Sequence, residues 1–157
     1  MSTKTLNWDQ YFMGIALMLA KKSPDPSSQV GCVIVDKDNK IISTGYNDSI
    51  RGKDCGFGWE REAKNPLDTK YPYVIHSEMN ALINAKCDLT GCKVYVTLYP
   101  CGECAKNLVQ AGITEVIYLE NKYPTQTLFK ASDIIFKKFN IKCRQYKLTK
   151  TSIEINI

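Results

Sequence analysis

The chain carries a single histidine, and the setting of that residue constrains the fold more than any other feature. His76 stands two residues before Glu78, and Pro100-Cys101-Gly102-Glu103-Cys104 follows downstream. One imidazole and two thiolates are a ligand set that suits Zn²⁺. For His76, Cys101 and Cys104 to meet at one ion, two separate segments must converge. Cys101 and Cys104 can grip one ion if they lie a turn apart at a helix start, which Pro100 can precede or open. His76 and Glu78 would point apart in mid-helix and can serve one site only over a first turn. Tyr71-Pro72-Tyr73 before them, and the helical pattern Met79, Leu82, Ile83 and Lys86 after them, put them there. The spacing therefore predicts two helix N-termini side by side over one metal, with their positive ends favouring thiolates.

The rest of the chain supplies elements that can deliver this. Trp8, Tyr11, Phe12, Ile15 and Leu19 predict one face of a helix over 8–22, with Asn7 as N-cap and Gln10 completing a capping box. Residues 30–35 form an apolar, β-branched run, and 41–46 a second strand after the turn Asp36-Lys37-Asp38-Asn39-Lys40, so the two predict a hairpin. Residues 48–75 are polar and irregular, and a connection this long inside a compact domain points to function. Helices are predicted over 77–86, 102–111 and 125–139, the last with Leu128, Ala131, Ile135 and Phe139 on one face. Strands are predicted over 93–98, 113–119 and 141–148. A hairpin followed by strand–helix units predicts an α/β fold, a three-layer α/β/α sandwich around a mixed five-stranded sheet, in one domain over 1–157.

Composition excludes several classes. A chain with 44% hydrophobic and 24% charged residues is globular, not disordered. The net charge of +5 is compatible with an anionic ligand and equally with a solvated basic surface. Basic runs reach only pairs such as Lys21-Lys22 and Lys137-Lys138, so no nucleic-acid partner is expected. The apolar stretch 12–20 is too short to span a bilayer, so no membrane association is expected. An odd count of 7 cysteines argues against a disulfide framework and for a reducing, cytoplasmic setting. Cys55, Cys87, Cys92 and Cys143 are expected to be free thiols, and Cys32 a core strand residue.

Standing alone, Cys-x-x-Cys also fits a structural zinc half-site or a redox pair. Glu78 separates the readings. A structural zinc takes four protein ligands, whereas a catalytic one takes three and keeps a position open. Such an ion lowers the pKa of its water to about 7. Glu78 would take that water's proton and pass it to a substrate ring nitrogen, with ammonia leaving. His-x-Glu with Pro-Cys-x-x-Cys is the signature of the zinc nucleobase deaminases.

Longer segments carry a more specific resemblance. These are Asp25-Pro26-Ser27-Ser28-Gln29-Val30-Gly31, Gly45-Tyr46-Asn47, the run from Leu67 through Lys70-Tyr71-Pro72-Tyr73 to His76-Ser77-Glu78-Met79-Asn80-Ala81, Tyr99-Pro100-Cys101-Gly102-Glu103-Cys104, and Lys122-Tyr123. Over residues 7–147 the chain resembles the deoxycytidylate (dCMP) deaminases of the cytidine deaminase-like superfamily. The resemblance implies hydrolysis of dCMP to dUMP for thymidylate synthesis, with zinc on His76, Cys101 and Cys104 and Glu78 as proton shuttle. It places Asn47 at the deoxyribose, Tyr123 beside the nucleotide and Ser28 near the phosphate. It also implies a homohexamer, activated by dCTP with Mg²⁺ and inhibited by dTTP, with the effector loop at Gly45, Asn47 and Asp48. Two positions depart from the family pattern. Ser77 stands where many members have alanine. Asp48 stands where many have glycine, whose freedom at positive φ it lacks. The competing readings are a deaminase that also takes dCTP or a base within RNA, and a non-catalytic zinc-stabilised binding module.

Overall fold

A computed structural model describes residues 5–53 and 56–148, so Cys55 and the segment after 148 lie outside the described residues. The order of elements is α1 (Trp8–Ala20), β1 (Gly31–Val35), β2 (Ile41–Tyr46), α2 (Ser77–Asn84), β3 (Lys93–Leu98), α3 (Gly102–Gln110), β4 (Glu115–Glu120), α4 (Thr127–Lys138) and β5 (Lys142–Gln145). Two short 3₁₀ turns, Ile50–Gly52 and Pro66–Asp68, punctuate the long connection before α2. The strands lie in the order β2-β1-β3-β4-β5. β1 is antiparallel to both β2 and β3, whereas β3, β4 and β5 run parallel. The sheet is mixed and five-stranded, as expected.

Alternation along the central strands feeds two cores. Cys32, Ile34, Val94, Val96 and Val116 face Ala81 of α2, Ala105 and Leu108 of α3 and Phe136 of α4. Val33, Val35, Tyr95 and Ile117 face Phe12, Met13 and Ala16 of α1. Burial on both faces explains the continuous apolar run of β1. The capping box at α1 is present: Gln10 N–H donates to Asn7 Oδ1 at 2.9 Å, and Asn7 N–H to Gln10 Oε1 at 3.0 Å.

Two helix faces differ from the expectation. α1 ends at Ala20 and buries Phe12, Met13, Ala16 and Ala20, while Trp8 and Tyr11 are exposed. The reason is close approach to β1. A Cβ at Gly31 would overlap the Ala16 carbonyl and lie 2.7 Å from Ala20 N, so small residues occupy the contact. α4 buries Ser132 and Phe136, leaving Leu128 and Phe139 exposed. Ser132 Oγ donates to the Pro100 carbonyl at 2.8 Å, and this polar residue inside the buried stripe masked the true face.

The same logic seats α2. A Cβ at Gly45 would overlap the Ser77 carbonyl and lie 2.5 Å from Ala81 N. Ser43 Oγ donates to the Ala81 carbonyl at 2.7 Å, and Asn80 Nδ2 to the Tyr46 carbonyl at 2.8 Å. These contacts lock α2 onto β2 and fix where its first turn points. No helix among the described residues is long and apolar enough to cross a membrane.

Candidate active site and metal centre

His76 and Cys101 are the N-caps of α2 and α3. An N-cap side chain ordinarily accepts a hydrogen bond from the first turn, a contribution of about 1 kcal/mol. Neither residue does so here, because both side chains turn toward each other instead. His76 Nδ1 lies 3.5 Å from Cys101 Sγ and 3.4 Å from Cys104 Sγ. All three donor atoms fall within 4.8 Å of one another. A tetrahedral ion with Zn–S of about 2.3 Å and Zn–N of about 2.0–2.1 Å places N and S about 3.5 Å apart. The residues fit zinc in donor chemistry and spacing.

The cluster's electrostatics are those of a cation site. Cys101 is pushed down to about 4, chiefly by the hydrogen bond from the Cys104 thiol, against burial, with His76 adding to the effect. Cys104 is driven up by the same hydrogen bond and by burial. His76 rises to about 9, first through its hydrogen bond with Cys101, opposed by burial. Glu78 is buried beside this cluster, and burial raises its carboxyl above the usual range, opposed by the charge of His76. Ser77 Oγ donates to Glu78 Oε2 at 2.9 Å, so the serine that departs from the family pattern touches the carboxylate.

A cavity of about 240 Å³ opens from this cluster, lined at its floor by His76, Glu78 and Cys101. Its wall holds Asn47 and Ser28, and Tyr123 also lines it. Asn47 has both amide donors engaged: Nδ2 donates to the Ser28 carbonyl at 2.8 Å and to Asp25 Oδ2 at 3.2 Å, while Oδ1 accepts from Val30 N–H at 2.7 Å. Its remaining capacity is as an acceptor at Oδ1.

Gly45 and Asp48 do not line this cavity. Gly45 packs under α2 as described above. Asp48 forms an antiparallel bridge with Ile75 and is not among the positive-φ residues. Glycine's conformational freedom is therefore not required at that position.

Among the lining residues to which the sequence reading gave no site role are Asp25, Lys70, Arg61 and Tyr71. Lys70 Nζ lies 2.6 Å from Asp25 Oδ2 and 2.7 Å from Ser27 Oγ, with side chains 7% and 2% exposed for the ion pair. Burial pushes the Asp25 carboxyl up, but hydrogen bonds from Lys70 and Ser27 outweigh it and hold the group below its ordinary value. One signal was legible. Asp25 two residues before Ser27 is an Asx-turn pattern, and its Oδ1 accepts from Ser27 N–H at 2.9 Å and Ser28 N–H at 3.1 Å. Lys70, 45 residues away from Asp25, gave none.

A carboxylate beside an open His-Cys-Cys cluster, at two helix starts over a mixed sheet, defines the zinc-dependent deaminases. The chain belongs to that family: residues 6–120 match the cytidine and deoxycytidylate deaminase zinc-binding region. Among relatives, it is 45% identical to deoxycytidylate deaminase of Homo sapiens, over 94% of this chain and 88% of that one. It is 39% identical to a probable deoxycytidylate deaminase of Drosophila melanogaster, over 96% and 78%. The fold matches that of dCMP deaminase from cyanophage S-TIM5 in complex with dCMP and dUMP. The TM-score is 0.72 at 20% identity, over 91% of this chain and 99% of that one.

Proposed function

We propose that the protein hydrolyses dCMP to dUMP and ammonia. The observation that carries this reading is the His76-Cys101-Cys104 cluster opening into a cavity beside the buried carboxylate of Glu78, in a chain closely similar to deoxycytidylate deaminases along most of its length. His76, Cys101 and Cys104 would hold zinc, which when bound supplies a Lewis acid and lowers the pKa of water to about 7. Glu78 accepts a proton from the attacking water and delivers it to ring N3, and a second proton accompanies the departing amino group. The new C4–O bond replaces C4–N4, so cytosine and water become uracil and ammonia. Asn47 offers its free acceptor lone pair to a sugar hydroxyl. Ser28 and Tyr123 flank the nucleotide.

The reading extends to a cytoplasmic homohexamer activated by dCTP with Mg²⁺ and inhibited by dTTP. Free cysteines, among them exposed Cys87, suit a reducing compartment. Exposed apolar side chains such as Met18 on α1 and Ile134 on α4 suit surfaces covered by other subunits. The test is zinc per monomer together with ammonia release from dCMP, dCTP, CMP and cytidine. Turnover should be fastest with dCMP. A zinc-loaded protein inert toward all four sinks the reading. Repeating the assay with dCTP and dTTP tests regulation.

A further inference from the structure

The cavity that ends in the metal cluster has a cation at its rim that pairs with no carboxylate among the described residues. Of the positive groups lining it, Lys70 is committed to Asp25 at 2.6 Å. Arg61 is exposed and has no acidic partner among the described residues. Its bonds go to two neutral phenols: Nε donates to Tyr71 Oη at 3.3 Å and Nη2 to Tyr123 Oη at 3.5 Å. Both are longer than the usual 2.7–3.2 Å range. The guanidinium carbon also lies 6.0 Å from the centroid of the Tyr123 ring. A guanidinium carries five N–H donors in a planar fork that matches phosphate oxygens. Arg61 thus bridges the segment before α2 and the segment after β4 across the mouth, charged and weakly satisfied.

We propose that Arg61 is the specificity determinant that recognises the 5′-phosphate of the substrate, exchanging its long bonds to Tyr71 and Tyr123 for charge-assisted bonds to phosphate oxygens. A ligand whose base reaches His76 and Glu78 at the buried floor leaves its far, anionic end toward the exposed rim where Arg61 sits. The inference rests on the nucleotide-deaminase reading above and names the residue that makes a monophosphate preferred over the bare nucleoside.

The experiment compares paired ligands on the zinc-loaded full chain. For turnover these are dCMP and deoxycytidine; for binding by calorimetry, dUMP and deoxyuridine. Arg61 is exposed, so Arg61→Ala should fold. That variant should lose about 10- to 100-fold in kcat/KM and in affinity for the phosphorylated ligands, through KM rather than kcat, with the nucleosides unchanged. Arg61→Lys should recover part of the loss, since it restores the charge without the fork. Added salt should weaken dCMP use by the wild type more than by Arg61→Ala. Equal losses for nucleotide and nucleoside, or no loss for either, would overturn the proposal, as would a wild type that binds dUMP no better than deoxyuridine. The calorimetric arm needs no turnover. A protein that binds dUMP through Arg61 yet deaminates nothing would refute the enzyme reading and leave this one standing.

Discussion

The floor and the rim of the cavity are built by opposite means. At the floor, two helices begin within reach of one another, and His76, Cys101, Cys104 and Glu78 all sit on their first turns. Those turns are held by β-sheet packing, by the contact at Gly45 and by the Ser132 bond to the Pro100 carbonyl. The wall and rim, by contrast, come from loops. Asp25, Arg61, Lys70 and Tyr123 lie between elements and are tied in pairs by side chains, Lys70 to Asp25 and Arg61 to Tyr123. A site that must hold donor atoms to a few tenths of an ångström is mounted on rigid elements. One that selects and admits a ligand is mounted on segments that can adjust.

The largest way to break this contrast is at the floor. His76→Ala should abolish zinc retention and bring deamination to background, because no second histidine exists to replace the ligand; metal analysis of the purified variant decides it. Glu78→Gln should keep one zinc per chain while kcat falls about 10²- to 10⁴-fold. Normal turnover by that variant would remove Glu78 from proton transfer. The floor should also show strong proton linkage. Without metal, His76 titrates near 9 and Cys104 is held up, so both carry protons at neutral pH while Cys101, near 4, does not. Zinc binding must then release two protons, and affinity should rise about 100-fold per pH unit between pH 6 and 8. Calorimetry in buffers of different ionisation heat counts those protons, and a count near zero would contradict the linked arrangement.

The wall responds in stability before chemistry. Lys70→Met leaves the Asp25 carboxylate buried without its cation and should destabilise by about 3–5 kcal/mol, read by denaturant unfolding. The double variant with Asp25→Asn should recover part of this. Because the Asp25 carboxyl sits below its ordinary value of 3.8, the pair contributes above that value and its contribution is lost as pH falls through the lower folded one. The smallest effect is expected at Asp48→Gly. Asp48 lies off the cavity and adopts no left-handed backbone, so unregulated activity should change less than about twofold, within the range typical of surface substitutions.

The floor was legible because its chemistry is local. His-x-Glu and Cys-x-x-Cys each encode a helix start, and a helix start presents side chains to one side whatever the tertiary context. The strands were legible for a related reason: β-branched runs such as that at β1 leave few alternatives. Legibility failed where burial depends on a partner. Trp8 and Tyr11 read as core but are exposed, since Gly31 draws α1 in through Ala16 and Ala20. Ser132 lies off the face read from Leu128, Ala131, Ile135 and Phe139 but is buried, its hydroxyl donating to the Pro100 carbonyl.

The sequence by itself therefore determined the ligand set, the carboxylate beside it and the order of elements, since each depends on short-range spacing or on hydrophobic period. Tertiary structure alone decided that Lys70 reaches Asp25 and that Arg61 spans the mouth between two tyrosines. Those contacts join residues far apart in the chain, and no local rule of backbone geometry brings such residues together until the sheet has fixed where each loop leaves it.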